Sequence, residues 1–243
     1  MFDHVTIRVS DLERSREFYE LAMGTLGFGE PATDGHVFEW DDLSISEARN
    51  DRPVTRNLHV ALVTPSRLEV DEWWRAMTDA GWKDDGAPGP RPQYSPKYYG
   101  AFVLDPDGNS VEAGHHGRRR EGENHIDHLW LRVRDVDATR AFYETIAPVV
   151  GVRVQTARVG GVAVAGEDRH FICVSDGRPL TENVHIAFPA PDNATVEEFH
   201  RVAVAAGYRD NGDPGERDYH LGYYGAFVLD PDGNNVESVC HNR

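Results

Sequence analysis

The stretch YYGAFVLDPDGNSVE at residues 98–112 occurs a second time as YYGAFVLDPDGNNVE at residues 223–237. The copies differ at one position, which is Ser110 in the first and Asn235 in the second. In both, an apolar run meets the tetrapeptide DPDG, whose proline and glycine suit the second and fourth positions of a type I turn. The repeated stretch therefore predicts a β-hairpin that ends on a glutamate, and a structural unit that the chain contains twice.

The repeat extends to both ends of the chain. Residues 2–20 resemble residues 126–144, and three polar positions recur about 125 residues apart. These pairs are His4 with His128, His59 with His185, and Glu112 with Glu237. We therefore expect two domains, at residues 1–114 and 125–243, each long enough to bury its own core.

Composition excludes several classes of function. The formal net charge of −16 argues against nucleic acid or an anionic membrane as a partner. No apolar run approaches the roughly 18 residues that a membrane helix needs, and the N-terminus leads directly into a strand pattern. Cys173 and Cys240, the two cysteines, favour a reducing compartment over a disulfide framework. We expect a cytoplasmic protein.

The connection between the copies is polar and has no apolar periodicity. It covers residues 115–124 and contains three consecutive arginines, which we interpret as a solvated linker in so acidic a chain. His115 and His116 stand at its start. Neighbouring residues on an extended chain point to opposite faces, so both histidines are predicted to be surface residues.

Each copy reads β-α-β-β-β twice, which predicts an α+β fold. Apolar Val5, Ile7 and Val9 alternate with polar residues, as in a half-buried strand. Ser10 and Glu13 have the spacing of a capping box at the start of the first helix. The segment between the second helix and the hairpin is rich in proline and glycine and is interpreted as a loop.

These motifs resemble the vicinal oxygen chelate family. The most specific are H-x-x-x-R-V-x-D-[LV]-x-x-[ST]-R-x-F-Y-E, which begins at His4 and at His128, and the closing D-P-D-G-N-x-V-E. Members include glyoxalase I, bleomycin-resistance proteins, fosfomycin-resistance transferases and type I extradiol dioxygenases. The resemblance implies paired βαβββ units that form a cup-shaped mixed sheet with helices outside. The chain could pair its two modules internally as a monomer, or form a homodimer.

The resemblance also implies metal ligands on the first, fifth and eighth strands of each module. These would be His4, His59 and Glu112 in the first copy, and His128, His185 and Glu237 in the second. The alternative is that each site is assembled across the modules, for example from His4 with His185 and Glu237. Strand parity supports the assignment, since the candidates point away from the apolar face. Two imidazoles and a carboxylate form the ligand set of sites that keep open positions, typically for Fe²⁺, with Mn²⁺, Ni²⁺ and Zn²⁺ as alternatives.

Further candidates surround these ligands. Arg8 and Arg132 follow the first-strand histidines on the same face, where each could clamp a substrate anion or pair with a nearby acid. Trp130 is predicted to contact substrate as an aromatic wall. Tyr223, which lies before the eighth strand, is also predicted to contact substrate. Tyr219 and His220, which precede Tyr223, are candidate general acid/base residues. The copies are expected to be inequivalent, with chemistry in the second.

The family patterns do not select one reaction. A glyoxalase I site would add a carboxylate on the fourth strand, where Glu47 stands in the first copy but Val174 in the second. An extradiol dioxygenase carries a tyrosine about ten residues before the glutamate, and here Phe102 and Phe227 take that place. Two hypotheses therefore stand: a metal enzyme that chelates vicinal oxygens of a small substrate, and a non-catalytic protein that binds or sequesters a small molecule.

Overall fold

The computed structural model describes residues 1–118, 124–167 and 169–242. The four helices are α1 (Leu12–Thr25), α2 (Arg67–Asp79), α3 (Val136–Val150) and α4 (Asn193–Ala205). The first eight strands are β1 (Val5–Val9), β2 (Ala32–Thr33), β3 (Val37–Trp40), β4 (Leu43–Glu47), β5 (His59–Val63), β6 (Lys83–Pro90), β7 (Tyr99–Leu104) and β8 (Ser110–His115). The remaining strands are β9 (Ile126–Arg132), β10 (Arg153–Thr156), β11 (Val162–Ala165), β12 (His170–Val174), β13 (His185–Pro189), β14 (Arg209–Glu216), β15 (Tyr224–Leu229) and β16 (Asn235–Cys240).

The strands form two mixed eight-stranded sheets. In hydrogen-bonding order one sheet is β14-β15-β16-β13-β1-β4-β3-β2 and the other is β10-β11-β12-β9-β5-β8-β7-β6. Each half of a sheet is one βαβββ unit, so the predicted α+β class and the duplicated unit are confirmed. No helix in the described part of the chain is both long enough and apolar enough to cross a membrane.

The chain forms two compact units that do not coincide with the sequence copies. Residues Met1–Thr6 and Leu131–Arg243 make up the C-terminal unit, and residues Ile7–Trp130 make up the N-terminal unit. The divisions fall inside β1 and β9. The first residues of each copy therefore cluster with the main part of the other copy. Whether residues 1–114 and 125–243 fold as separate domains stays a prediction.

Parallel strand pairs at the centre of each sheet fix the positions of the polar candidates. In the N-terminal unit, β5 pairs with β8 so that His59 lies opposite Ser110. In the C-terminal unit, β13 pairs with β16 so that His185 lies opposite Asn235. The glutamate follows two residues later on the same face of β8 or β16. The repeated hairpin thus sets the register of the histidine and glutamate candidates.

The turn of each hairpin is tied to the strand that carries the histidine. Asn109 Oδ1 accepts a hydrogen bond from Leu58 N at 3.0 Å, directly before β5. Asn234 Oδ1 accepts the corresponding bond from Val184 N at 3.2 Å, directly before β13. The repeated asparagine of the DPDGN motif therefore anchors the neighbouring strand as well as the turn.

Two local predictions were wrong. The N-cap of α1 is Asp11, whose side chain accepts a hydrogen bond from Arg14 N, and not Ser10. Asp135 caps α3 in the same way, and aspartate is among the preferred capping residues. The proline- and glycine-rich segments interpreted as loops are strands β6 and β14. Their pairing with β7 and β15 contains two register shifts each, which accommodate residues that ordinary strands avoid.

The linker prediction also needs correction at its start. His115 is the last residue of β8 and is buried, with Nδ1 3.0 Å from the carbonyl oxygen of Thr64. His116 is half-buried, with Nε2 2.8 Å from Asp127 Oδ2. Neither histidine is the surface residue that was predicted. Arg119, Arg120 and the rest of residues 119–123 lie outside the described part of the chain.

Candidate metal sites

Three ligand atoms converge in the C-terminal unit. His4 Nε2 lies 3.2 Å from His185 Nε2, and Glu237 Oε2 lies 3.0 Å from His185 Nε2 and 3.7 Å from His4 Nε2. Glu237 is buried, and the two histidine side chains are 16% and 8% exposed. We call this group the His4 site.

The same arrangement occurs in the N-terminal unit. Glu112 Oε2 lies 3.0 Å from His59 Nε2 and 3.8 Å from His128 Nε2. Glu112 is buried, and the side chains of His59 and His128 are 14% and 11% exposed. We call this group the His128 site.

The spacing of these atoms fits a shared divalent ion. Imidazole nitrogen and carboxylate oxygen bind such metals at about 2.0–2.2 Å, so ligands at 90° are about 3.0 Å apart and ligands at tetrahedral angles about 3.4 Å. Three of the five spacings, at 3.0–3.2 Å, lie within this range, and the other two, at 3.7 and 3.8 Å, lie slightly above it. Two imidazoles and a buried carboxylate also form a recognised ligand set with open positions for substrate.

The structure groups the candidate ligands across the sequence copies and not within them, which is the second of the two arrangements that the sequence left open. It combines the first-strand histidine of each copy with the fifth-strand histidine and the glutamate of the other copy. All six candidate ligands lie in these two groups, because β1 pairs antiparallel with β13 and β9 pairs antiparallel with β5. Spacing along the sequence could not distinguish this pairing from pairing within a copy, since both preserve the same offsets.

Glycines hold the glutamates in place. A Cβ atom added to Gly100 on β7 would overlap Glu112 Oε1, and one added to Gly225 on β15 would lie 2.5 Å from Glu237 Oε1. Each carboxylate therefore lies across the bare backbone of the neighbouring strand. This close approach explains why both copies of the repeated motif carry glycine at that position.

A tyrosine hydroxyl lies beside each glutamate. Tyr223 Oη donates a hydrogen bond to Glu237 Oε1 at 2.7 Å, which leaves Oε2 facing the histidines. Burial and the neighbouring carboxylate raise the pKa of Tyr223, so its hydroxyl stays protonated and acts as a donor. Tyr98 is the counterpart at the His128 site, and burial together with the charge of Glu112 raises its pKa as well.

Neither Tyr98 Oη nor Glu112 Oε1 makes a well-aligned hydrogen bond within the described residues. Tyr98 nevertheless lies beside Glu112 as Tyr223 lies beside Glu237, and a hydrogen bond to the carboxylate contributes to its raised pKa. The two glutamates therefore differ in the geometry of this contact.

A carboxylate orients the first-strand histidine of each site. Asp127 Oδ2 lies 2.7 Å from His128 Nδ1 and 2.8 Å from His116 Nε2. Burial alone would raise the pKa of Asp127, but hydrogen bonds from the two histidines lower it well below its usual range. Because Nδ1 of His128 donates to Asp127, Nε2 is left to bind a metal.

The C-terminal unit has a longer version of this contact. Asp3 Oδ1 lies 2.8 Å from His4 Nδ1, and His241 Nε2 lies 3.0 Å from Asp3 Oδ2. His241 Nδ1 in turn lies 2.7 Å from His220 Nε2. The predicted acid/base residue His220 is therefore connected to the His4 site through His241 and Asp3. Neither connecting residue was among the residues predicted from sequence, although the aspartate before the first-strand histidine in both copies is a signal that could have revealed Asp3.

The other predicted residues are placed as follows. Arg132 Nε lies 3.4 Å from Asp176 Oδ2, so of its two predicted roles the structure shows the pairing with an acid. The backbone N–H of Arg8 donates to Thr55 Oγ1, and substrate contact by its side chain stays a prediction. Tyr219 is 58% exposed, with its ring 4.9 Å from that of Tyr223.

Trp130 and His220 were predicted to belong to one site, and the structure separates them. Trp130 lies opposite His59 in the pairing of β9 with β5, beside the His128 site, with its ring 6.1 Å from that of Tyr94. His220 belongs to the network of the His4 site. Glu47 is exposed and joins none of the ligand groups formed by the described residues.

Comparison with known proteins identifies the family. The chain matches the Glyoxalase/Bleomycin resistance protein/Dioxygenase superfamily over residues 1–113 and 125–238, and it belongs to that superfamily. An uncharacterized protein of Pseudomonas aeruginosa is 36% identical over 124 residues, which cover 46% of this chain and 85% of that protein.

Solved structures share the fold across the whole chain. Glyoxalase I from Zea mays aligns with a TM-score of 0.68 at 20% identity, over 99% of this chain and 92% of that one. A putative dioxygenase from Bacillus subtilis aligns with a TM-score of 0.67 at 14% identity, over 100% of this chain and 85% of that one. At these identities the likeness establishes the fold and leaves the reaction open.

Proposed function

We propose that this protein is a divalent-metal enzyme with two metal sites, each chelating neighbouring oxygens of a small organic substrate. The observation that supports this most strongly is the convergence of two imidazole nitrogens and one buried carboxylate oxygen in both units, at spacings of 3.0–3.8 Å. The family is compatible with the proposal, and the superfamily description includes both glyoxalases and dioxygenases.

The residues of each site would share the work as follows. The two Nε2 atoms and Oε2 of the glutamate hold the ion, which polarises a substrate oxygen and acidifies neighbouring groups when bound. Tyr223 fixes the carboxylate of Glu237 through its 2.7 Å hydrogen bond. The chain of His220, His241 and Asp3 gives His4 Nδ1 a hydrogen-bonded connection to a surface loop.

The surroundings of the sites match neither the extradiol pattern nor the four-ligand glyoxalase I pattern, since Glu47 is exposed and joins no ligand group of the described residues. Phe102 and Phe227 occupy the positions where the dioxygenase pattern has tyrosine, and their rings lie 5.8 Å from His59 and 6.2 Å from His185. No hydroxyl is available at those positions to transfer a proton. Both cysteines are free and buried, which supports a cytoplasmic setting for this function.

Metal analysis followed by turnover tests the proposal. Protein purified without oxygen should contain a divalent metal. It should also convert at least one substrate from a panel of three classes, which are hemithioacetals, catechols, and epoxides supplied together with a thiol. Removal of the metal with a chelator should abolish turnover. Adding back a divalent metal should restore it, and the metals to be tested are Fe²⁺ first, then Mn²⁺, Ni²⁺ and Zn²⁺. Turnover by metal-free protein would contradict the proposal, and bound metal without turnover of any class would favour a binding or sequestering protein.

The role of His220 has its own comparison. His220→Gln should slow turnover at the His4 site while leaving metal content unchanged, because it removes an imidazole from the chain and no ligand. His36→Gln changes an exposed histidine and serves as the control. Equal rates for both variants would remove His220 from the mechanism without affecting the metal assignment.

A further inference from the structure

The one position at which the repeated motif differs contacts a ligand histidine in both units. Ser110 Oγ lies 3.3 Å from His59 Nδ1, and Asn235 Nδ2 lies 2.6 Å from His185 Nδ1. Histidine uses one ring nitrogen for a metal and the other for a hydrogen bond, and that hydrogen bond fixes which nitrogen carries the proton. The difference therefore affects the readiness of each site to bind metal.

In the N-terminal unit the contact prepares His59 for metal binding. Ser110 Oγ donates its proton to Asp85 Oδ2 at 2.8 Å, so towards His59 it acts as the acceptor. His59 Nδ1 is consequently the donor, and Nε2 presents its lone pair to the site. Asp85, at the end of this hydrogen-bonded series, contributes a negative charge that strengthens the histidine as a ligand.

In the C-terminal unit the contact opposes metal binding. Asn211 occupies the place of Asp85, and its Nδ2 donates to Asn235 Oδ1 at 2.9 Å. Asn235 therefore directs its amide nitrogen, a donor, at His185 Nδ1, which makes Nδ1 the acceptor and places the proton on Nε2. Binding metal through Nε2 requires both amides to turn over so that Asn235 offers its oxygen, and the series holds no carboxylate.

We propose that the residue pair Asp85–Ser110 makes the His128 site the tighter of the two metal sites, and that Asn211–Asn235 weakens the His4 site. This inference rests on the proposed function, because it concerns the same two metal sites. Removing partners of metal-bound histidines typically costs 10–100-fold in affinity. Asp85 is exposed, so solvent screens its charge and we expect the lower end, about tenfold.

Exchange of the pairs tests the inference by metal affinity, without an enzyme assay. Each site is isolated by removing the other with Glu237→Gln or Glu112→Gln, and Co²⁺ binding to the metal-free protein is followed by visible absorption. The His128 site should bind about tenfold more tightly than the His4 site. Asp85→Asn with Ser110→Asn should weaken the His128 site about tenfold, and Asn211→Asp with Asn235→Ser should strengthen the His4 site similarly.

Two controls separate this effect from others. Asp84→Asn removes the neighbouring carboxylate of β6, which bonds to Trp74 Nε1 and not to Ser110, and should leave Co²⁺ affinity unchanged. His200→Ala in every protein removes the exposed group of His200, Asp210 and Asp213, which could bind Co²⁺ at the surface. Unfolding midpoints of the exchanged variants report whether the fold is retained.

The outcomes are distinct. Affinities that are equal at the two sites, or that do not change on exchange in variants that remain folded, would overturn the inference while leaving the metal sites in place. An Asp84→Asn effect as large as that of the exchange would also overturn it, because a general charge effect would then suffice. Absence of Co²⁺ binding to the unmodified sites would overturn the proposed function itself.

Discussion

Removing one hydroxyl should destabilise the first copy, whereas removing its counterpart should not destabilise the second. Tyr19 Oη is buried and donates to Asp105 Oδ2 at 3.0 Å. Asp105 also accepts hydrogen bonds from the backbone of Asp107 and from two N–H groups of Asn109, so all its partners are donors. In the second copy Tyr143 Oη is buried without a hydrogen-bond partner among the described residues.

The expected magnitudes follow from these contacts. Tyr19→Phe keeps the ring and removes a hydrogen bond to a buried carboxylate, which costs about 1.5–3 kcal/mol of unfolding free energy. Tyr143→Phe removes a buried hydroxyl that makes no such bond, so its effect should be near zero or slightly stabilising. Urea unfolding of both variants and the wild-type protein at pH 7 measures the difference. Equal destabilisation by the two substitutions would refute the reasoning.

Two further predictions concern the glutamate cradles and the hairpin turn. Gly100→Ala should weaken metal binding at the His128 site at least about tenfold, because the added Cβ overlaps Glu112 Oε1. Gly24→Ala is the control, since its Cβ meets no atom within 4 Å, and it should leave metal binding unchanged. Equal Co²⁺ affinities for the two variants would count against the role of Gly100 in placing Glu112. Burial raises the pKa of Asp230 to about 6 from 3.8, so folding favours its protonated form. The stabilisation from this group is present below pH 4 and is lost as pH rises through 6, which lowers the unfolding free energy by about 3 kcal/mol. Asp230→Asn should remove this pH dependence, and an unchanged slope of unfolding free energy between pH 4 and 6 would contradict the assignment.

The repeat made the fold and the ligands predictable, because both follow from local pattern. Alternation in β1, the apolar stripe of α2 and the DPDG turn each have a period or a spacing that sequence reveals directly. The six candidate ligands stand out for the same reason, since each recurs in the second copy. Strands β6 and β14 were missed because their bulges accommodate proline and glycine, which ordinarily mark loops.

The grouping of the ligands could not be predicted, because it depends on which strands pair over long distances. The pairing of β1 with β13, and of β9 with β5, joins residues far apart in the chain. The roles of Asp3, Asp127 and His241 depend on side-chain contacts across strands and on the chain end returning to β1. The difference between Ser110 and Asn235 was visible in sequence, but only its contact with the ligand histidines gives it meaning.

The most direct test of the account is the metal content of two double variants. Each also carries His200→Ala and His116→Ala, which remove the two other groups of potential metal ligands among the described residues. His4→Ala with Glu237→Gln removes two ligands of one site, so this protein should still bind one ion. His4→Ala with Glu112→Gln removes one ligand from each site, so this protein should bind none. Elemental analysis after equilibration with Co²⁺ and removal of free metal gives the two numbers. The reverse result, with one ion retained by the second variant and none by the first, would contradict the grouping of ligands across the sequence copies.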